Sequence, residues 1–138
     1  MNEDFADTSF FIALVEAKDE FHTKAVELAS HLKSDMVITS AVVLELGARF
    51  SPQRHRQKLF HILELLNHQG AEIVHVDESL QSRGMELFSA RMDKDWSLTD
   101  CISFVVMHDR AITPAAASDL HFEQAGFIPL LRSDVPNS

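Results

Sequence analysis

Apolar positions along the chain switch between helical and strand periods. Residues 9 to 33 set Phe10, Leu14, Val26, Leu28, Ala29 and Leu32 at helical spacing with a break near "AKDE", which predicts two consecutive helices. "MVITS" is a short β-branched run ending in a hydroxyl, the pattern of a strand that hands over to a helix cap. "AVVLELGARF" predicts a helix, Pro52 suits the first turn of another, and "RQKLFHILELLNHQG" continues that one to a glycine stop. "AEIVHV", bounded by Gly70 and Asp77, is the clearest strand, and "ESLQSRGMELFSARM" returns to helical spacing through Leu80, Leu87 and Phe88 despite Gly84. In "KDWSLTDCISF", Ser97 stands three residues before Asp100 and ahead of an apolar run, the signature of a capping box opening a helix to about Arg110. "AITPAAAS" makes a poor strand, because Pro114 cannot donate to a ladder and is confined to a strand's start or edge. Short strands alternating with helices predict an α/β fold with a largely parallel sheet.

Size and composition narrow the classes. A chain of 138 residues fits one domain, here residues 1 to 132, with "SDVPNS" over 133 to 138 as a short tail. No apolar run approaches the ~20 residues of a membrane span, and Asn2, Glu3 and Asp4 stand where a secretory signal carries positive charge. Cys101, the single cysteine, has no internal disulfide partner, so the expected location is the cytoplasm. The net charge of −9, from 12 basic and 21 acidic residues, disfavours passive binding to nucleic acid. It leaves room for an enzyme whose acids hold divalent cations, since the cations reverse the local field.

Four acids fall at strand-to-helix junctions, where ligands of open α/β sheets gather. Asp7 ends the first short strand, Glu45 lies one turn into the helix after "MVITS", Asp100 opens a helix, and Asp119 closes the "AAAS" segment. Each also has a plain structural reading: Asp7 and Asp119 as helix or loop caps, Asp100 as half of a capping box, Glu45 as the partner of Arg49 four residues on. Jointly the four are better explained by a shared cation, because like charges brought close drive one another to protonate unless a cation neutralises them. Oxygen-only ligation suits Mg²⁺ or Mn²⁺, which lower the pKa of water and offset charge on a phosphoryl group.

With these residues in view, "FADTSFFIAL", "VVLELG", "DKDWSLTDCISF" and "DLHFEQAGFIPL" resemble the four acidic motifs of PIN-domain proteins, particularly VapC-type toxin ribonucleases. The resemblance runs in order over nearly the whole chain. It implies a PIN-like three-layer sandwich, a central parallel sheet of four or five strands flanked by helices. It also implies Mg²⁺- or Mn²⁺-dependent cleavage of RNA, a small antitoxin protein as partner, and a homodimer. By motif position Asp7, Glu45, Asp100 and Asp119 would be both the catalytic and the metal-binding acids. Two positions depart from the family pattern: "MNEDFA" replaces an apolar lead into the first acid, and Ala117 stands where a hydroxyl residue often precedes the last.

"RFSPQRHRQK" gathers Arg49, Arg54, Arg56 and Lys58, either as a solvated face or as a contact to RNA backbone. The eight histidines have no zinc-ligand spacing. His121 lies two residues after Asp119, at the rim of the site or, the plainer reading, packed beside Phe122. Ser9 and Asp95 have no assigned role, and Trp96 and Phe104 are expected in the core or a dimer face. Two rivals stand beside the ribonuclease: an aspartyl-phosphate phosphoryl-transfer protein, disfavoured because Ser9 occupies the place of a second Asp, and a PIN-like interaction module without catalysis.

Overall fold

A computed structural model describes residues 3–32 and 35–132; the tail expected over 133–138 lies outside them. Strand β1 (Glu3–Ala6) leads into helices α1 (Thr8–Val15) and α2 (His22–His31), and β2 (Asp35–Thr39) into α3 (Ser40–Arg49) and α4 (Arg56–Gln69). Strand β3 (Glu72–Val74) is followed by α5 (Glu78–Ala90) and α6 (Leu98–Asp109), then β4 (Pro114–Ala116), α7 (Leu120–Gln124) and β5 (Ile128–Pro129). A 3-10 turn over Gln53–His55 precedes α4 and another, Leu130–Arg132, follows β5.

The five strands form one sheet in the order β3-β2-β1-β4-β5, and every pairing is parallel. The chain moves outward from β1 through β2 to β3, then crosses back to β4 and β5. Right-handed crossovers place the helices of these two excursions on opposite faces, giving three layers. The strand order reverses between β1 and β4, so the crevice above their carboxyl ends is where a ligand site of this architecture belongs.

Several elements differ in detail from their sequence patterns, each for a local reason. The run at 71–76 ladders only over Glu72–Val74, because the Val76 N–H turns to the Ser40 hydroxyl at 2.9 Å. Ser40 belongs to α3, and the Thr39 hydroxyl caps that helix by accepting the Val42 N–H at 3.2 Å. Pro52 stands before the 3-10 turn, not inside α4. Gly70 ends α4 in the left-handed conformation, φ 66°, as the glycine stop anticipates. Pro114–Ala116 does form a strand, with Pro114 in its first position, Ala115 and Ala116 buried and paired with the central β1, and Ala117 buried just beyond its end. Small side chains there suit a strand covered on both faces, and burial overrides its weak intrinsic propensity. Strand β5, two residues long, carries no alternation from which it could be read.

Phe5, Phe10, Phe11, Ile38, Leu46 and Phe122 are fully buried about the sheet. Trp96 and Phe104 belong to this core, not to an open face. The Trp96 ring stands edge-on to Phe104 at 5.0 Å, Phe104 edge-on to Phe122 at 5.0 Å, and the Trp96 indole N–H donates to Gln124 Oε1 at 3.0 Å. Such aromatic pairs contribute about 0.5–1.5 kcal/mol each beyond their burial. They pin the segment entering α6 to α7, and with it two of the acids considered below.

Helices α5 and α6 approach closely at Gly84, where a Cβ would lie 2.6 Å from Ile102 Cγ1. That atom lies one bond beyond the branch point of a buried β-branched side chain, whose χ1 is stiff and has little room to swing aside. Gly84→Ala is therefore expected to lower stability by roughly 1–2 kcal/mol in chemical denaturation despite alanine's better helix propensity, and a neutral or stabilising result would refute the close packing.

Candidate active site

Three of the four acids converge above the crevice, and each is held by the helix start it serves. Asp7 follows β1 directly: its N–H continues the sheet by donating to Ala116 O at 3.0 Å. Its Oδ2 caps α1, accepting the Ser9 N–H at 3.1 Å and the Ser9 hydroxyl at 2.6 Å. Ser9 Oγ in turn accepts the Ser118 N–H at 3.0 Å, tying this cap to the segment leaving β4. Asp100 completes the capping box read from the sequence, its Oδ2 accepting the Ser97 N–H and the Ser97 hydroxyl accepting the Asp100 N–H, both at 3.0 Å. Asp119 caps α7 by accepting the His121 N–H on Oδ1 at 2.9 Å.

His121 joins the acids instead of merely packing beside Phe122. Its Nδ1 lies 2.9 Å from Asp100 Oδ2 and 3.3 Å from Asp119 Oδ1, so this nitrogen carries the proton and donates between two carboxylates. Asp100, Asp119 and His121 each offer a ligand atom within 4.8 Å of the others. In all three acids one oxygen is committed to capping, while the second makes no hydrogen bond among the described residues. Capping thus leaves one oxygen of each acid available.

Glu45 stands apart from this group. It is half-buried on the wall of a cavity of about 580 Å³, lined also by Ser40, Val76, Gln81, Thr99 and Ile102, beside the first turn of α6. The surface ion pair with Arg49 is not formed; the Arg49 guanidinium lies over the Phe50 ring, 5.4 Å from its centroid. Asp95 is exposed.

Electrostatics agree with the convergence. Asp7 is only 3% exposed, and burial pushes its carboxyl from the ordinary 3.8 to about 7, against the lowering effect of the two Ser9 hydrogen bonds. The charges of Asp100 and Asp119 push it in the same direction as burial. Asp100 and Asp119, with Asp7 near enough for both charges to act on it, are a carboxylate set that would suit a hard divalent cation. Next to Asp7, the buried Thr8 hydroxyl has no protein partner, as expected of a group that meets water or a ligand.

Sequence reasoning singles out the acids, leaves Ser9 without a role, and gives His121 only the rim of the site or packing beside Phe122. The available signal is spacing: each stands two residues after an N-cap acid, where backbone and side chain can fold back on the same carboxylate.

The chain has a parallel α/β sheet with acids near its switch point, and residues 5–128 match the PIN domain. The chain belongs to the PIN-domain family. It is 32% identical over 126 residues to the 23S rRNA-specific endonuclease VapC20 of Mycobacterium tuberculosis, a match covering 90% of this chain and 95% of that protein, in both strains CDC 1551 and H37Rv. The crystal structure of M. tuberculosis VapC20, described as a sarcin-ricin loop cleaving toxin, superimposes with a TM-score of 0.83 at 25% identity, over 91% of this chain and 96% of that one. FitAcB from Neisseria gonorrhoeae shares the fold, with a TM-score of 0.66 at 17% identity over 90% and 94% of the two chains.

The raised Asp7 carboxyl makes metal-free stability depend on pH. Its folded pKa lies above the unfolded value, so the folded state binds more protons between about pH 4 and about pH 7. This stabilisation is complete below the lower value and is lost as pH rises through the upper one, on the order of 4 kcal/mol in all. Urea unfolding of the metal-free protein should show that decline. Asp7→Asn should flatten it and stabilise the protein above pH 7, and an unchanged slope in the variant would refute the assignment.

Proposed function

We propose that this chain is a metal-dependent endoribonuclease, the toxin of a toxin-antitoxin pair, acting in the cytoplasm. The observation that carries the reading is the cluster of Asp100, Asp119 and His121, whose ligand atoms lie within 4.8 Å of one another, with Asp7 at the end of β1 close enough for the charges of both acids to act on it. Similarity to VapC20 over 90% of the chain supports the choice of RNA, and the sarcin-ricin loop is the first RNA to try.

In this reading Asp7 and Asp100 hold Mg²⁺ or Mn²⁺, and Asp119 completes the set. When bound, the cation lowers the pKa of water and offsets the charge that develops on the phosphoryl group. Ser9 and His121 hold the rear oxygens of the acids, fixing which oxygens face the cation. Glu45, with no hydrogen bond or ion pair of its own among the described residues, orients the attacking water from the cavity wall. Water attacks phosphorus in line, the bond to the 3′ oxygen breaks, and that oxygen leaves with a proton, giving 5′-phosphate and 3′-hydroxyl ends. A rival without catalysis would use the same acids only as caps, and a phosphoryl-transfer protein would keep a phosphate on Asp7.

The decisive assay incubates purified protein and Mn²⁺ with sarcin-ricin loop RNA and with unrelated hairpins. Cleavage should vanish with EDTA and fall about a hundredfold or more in Asp100→Asn, which keeps the capping geometry and removes the charge. Cleavage that survives either change would overturn the mechanism.

Association with a small antitoxin and with a second copy belongs to the same proposal. Met85, Phe88 and Met92 are 50%, 47% and 84% exposed at helical spacing along α5 and its end, an apolar stripe suited to a homodimer face. Light scattering of the isolated protein should report a dimer, and Phe88→Asp should convert it to a monomer without loss of helicity; a monomeric parent protein would remove the dimer from the proposal.

A further inference from the structure

Cations are distributed unevenly between the two ends of the sheet. Because successive strands are parallel, each crossover returns the chain from the carboxyl end of the sheet, where the acids lie, to the amino end. Helix α6 begins at the acids and ends with Asp109 and Arg110 at the amino end. There Arg83 pairs with Asp109, and Arg110 with both Glu72 and Glu3, the residues that open β3 and β1. These cations are neutralised.

Helix α4 runs the same way. Its 14 residues span roughly 21 Å and deliver the chain to β3, so its first turn and the preceding corner from α3 stand toward the carboxyl end of the sheet, about the length of α1 away from Asp7. Lys58 in this turn is paired with Glu16 at the end of α1. Arg49, Arg54 and Arg56 form no salt bridge among the described residues. Arg132 rises from the turn after β5, on the same end of the sheet, and also forms none.

Three of these arginines share one construction. Arg56 Nε donates to Ser51 O at 2.8 Å, Arg54 Nε to His55 Nε2 at 3.2 Å, and Arg132 Nε to Ser118 O, one residue before Asp119. The Arg132 guanidinium further lies over the Phe21 ring, 5.0 Å from its centroid. Each side chain is anchored through Nε, and its two terminal nitrogens remain uncommitted among the described residues. That is a preorganised fork, matched to the paired oxygens of a phosphodiester.

We infer that Arg132, held to the segment that leads into Asp119, and Arg54 and Arg56, at the corner tied to the end of α1, form a rim that grips RNA backbone phosphates flanking the bond to be cut. The rim offsets the unfavourable approach of a polyanion to a chain of net charge −9. Phosphate contacts position the strand without reading bases, so base preference arises elsewhere in the cleft. The inference rests on RNA being the substrate, and it is tested by binding, independently of cleavage.

The experiment uses full-length protein carrying Asp7→Asn, to suppress cutting, and two fluorescein-labelled RNA hairpins of equal length and unrelated loop sequence. Anisotropy titrations over a range of NaCl concentrations give the affinity and its salt dependence. Adding Arg54→Gln with Arg56→Gln, or Arg132→Gln, should weaken both hairpins equally and make the plot of log affinity against log salt shallower by about 0.7–0.9 for each phosphate no longer neutralised. Arg83→Gln at the opposite end of the sheet should change neither quantity. Equal affinity and slope in the rim variants would overturn the inference, as would an equal loss in Arg83→Gln. If the parent protein binds neither hairpin, and the arginines matter only for holding an acidic protein segment, the RNA rim is likewise refuted. A rim that binds as expected in a protein that never cleaves would instead count against the nuclease reading alone.

Discussion

The burial of carboxylates close to one another at one crevice is the constraint around which this site is organised. Three acids distant in sequence are brought to one crevice, and the fold must keep them there in spite of their charge. Each is fixed by hydrogen bonds at the start of its own helix, and two are further restrained by one imidazole proton. Asp7 shows the strain most directly, its carboxyl raised to about 7 by burial and by its neighbours. A divalent cation bound there, as proposed, would relieve that repulsion, so affinity for the ion and the cost of assembling its ligands would have one origin.

The sheet supplies the rigidity. Asp7 is an extension of the ladder, since its N–H pairs with Ala116 O, and Ser9 joins the two strands at the switch point through the Ser118 N–H. Behind them, Trp96, Phe104 and Phe122 lock the entry of α6 against α7. The acids therefore sit on packed elements and not on a long loop, the placement that precise ligand geometry requires.

Much of this architecture is legible in the order of amino acids alone. Helical periodicity locates the principal helices, and the capping box at Ser97 and Asp100 forms as its spacing indicates. What local pattern misses is decided by tertiary contact. "PAAA" has poor strand composition, yet the central position beside β1 makes small buried residues suitable there. Val76 has the pattern of a strand end, but a serine from another element captures its N–H. Glu45 and Arg49 have the spacing of an ion pair, and the arginine lies over Phe50 instead. His121 meets Asp100 across 21 positions of chain, a proximity that no local pattern encodes.

The double duty of the acids bears on how such a protein would age if its enzymatic task were no longer needed. Asp7, Asp100 and Asp119 would still be retained, because helix starts depend on them, and their presence in a descendant would say little about whether it still cuts. Glu45 holds no part of the scaffold together, so genetic drift would meet the least resistance there. If Glu45 has the water-orienting role proposed for it, a silent lineage would be recognised first by what has replaced that single glutamate.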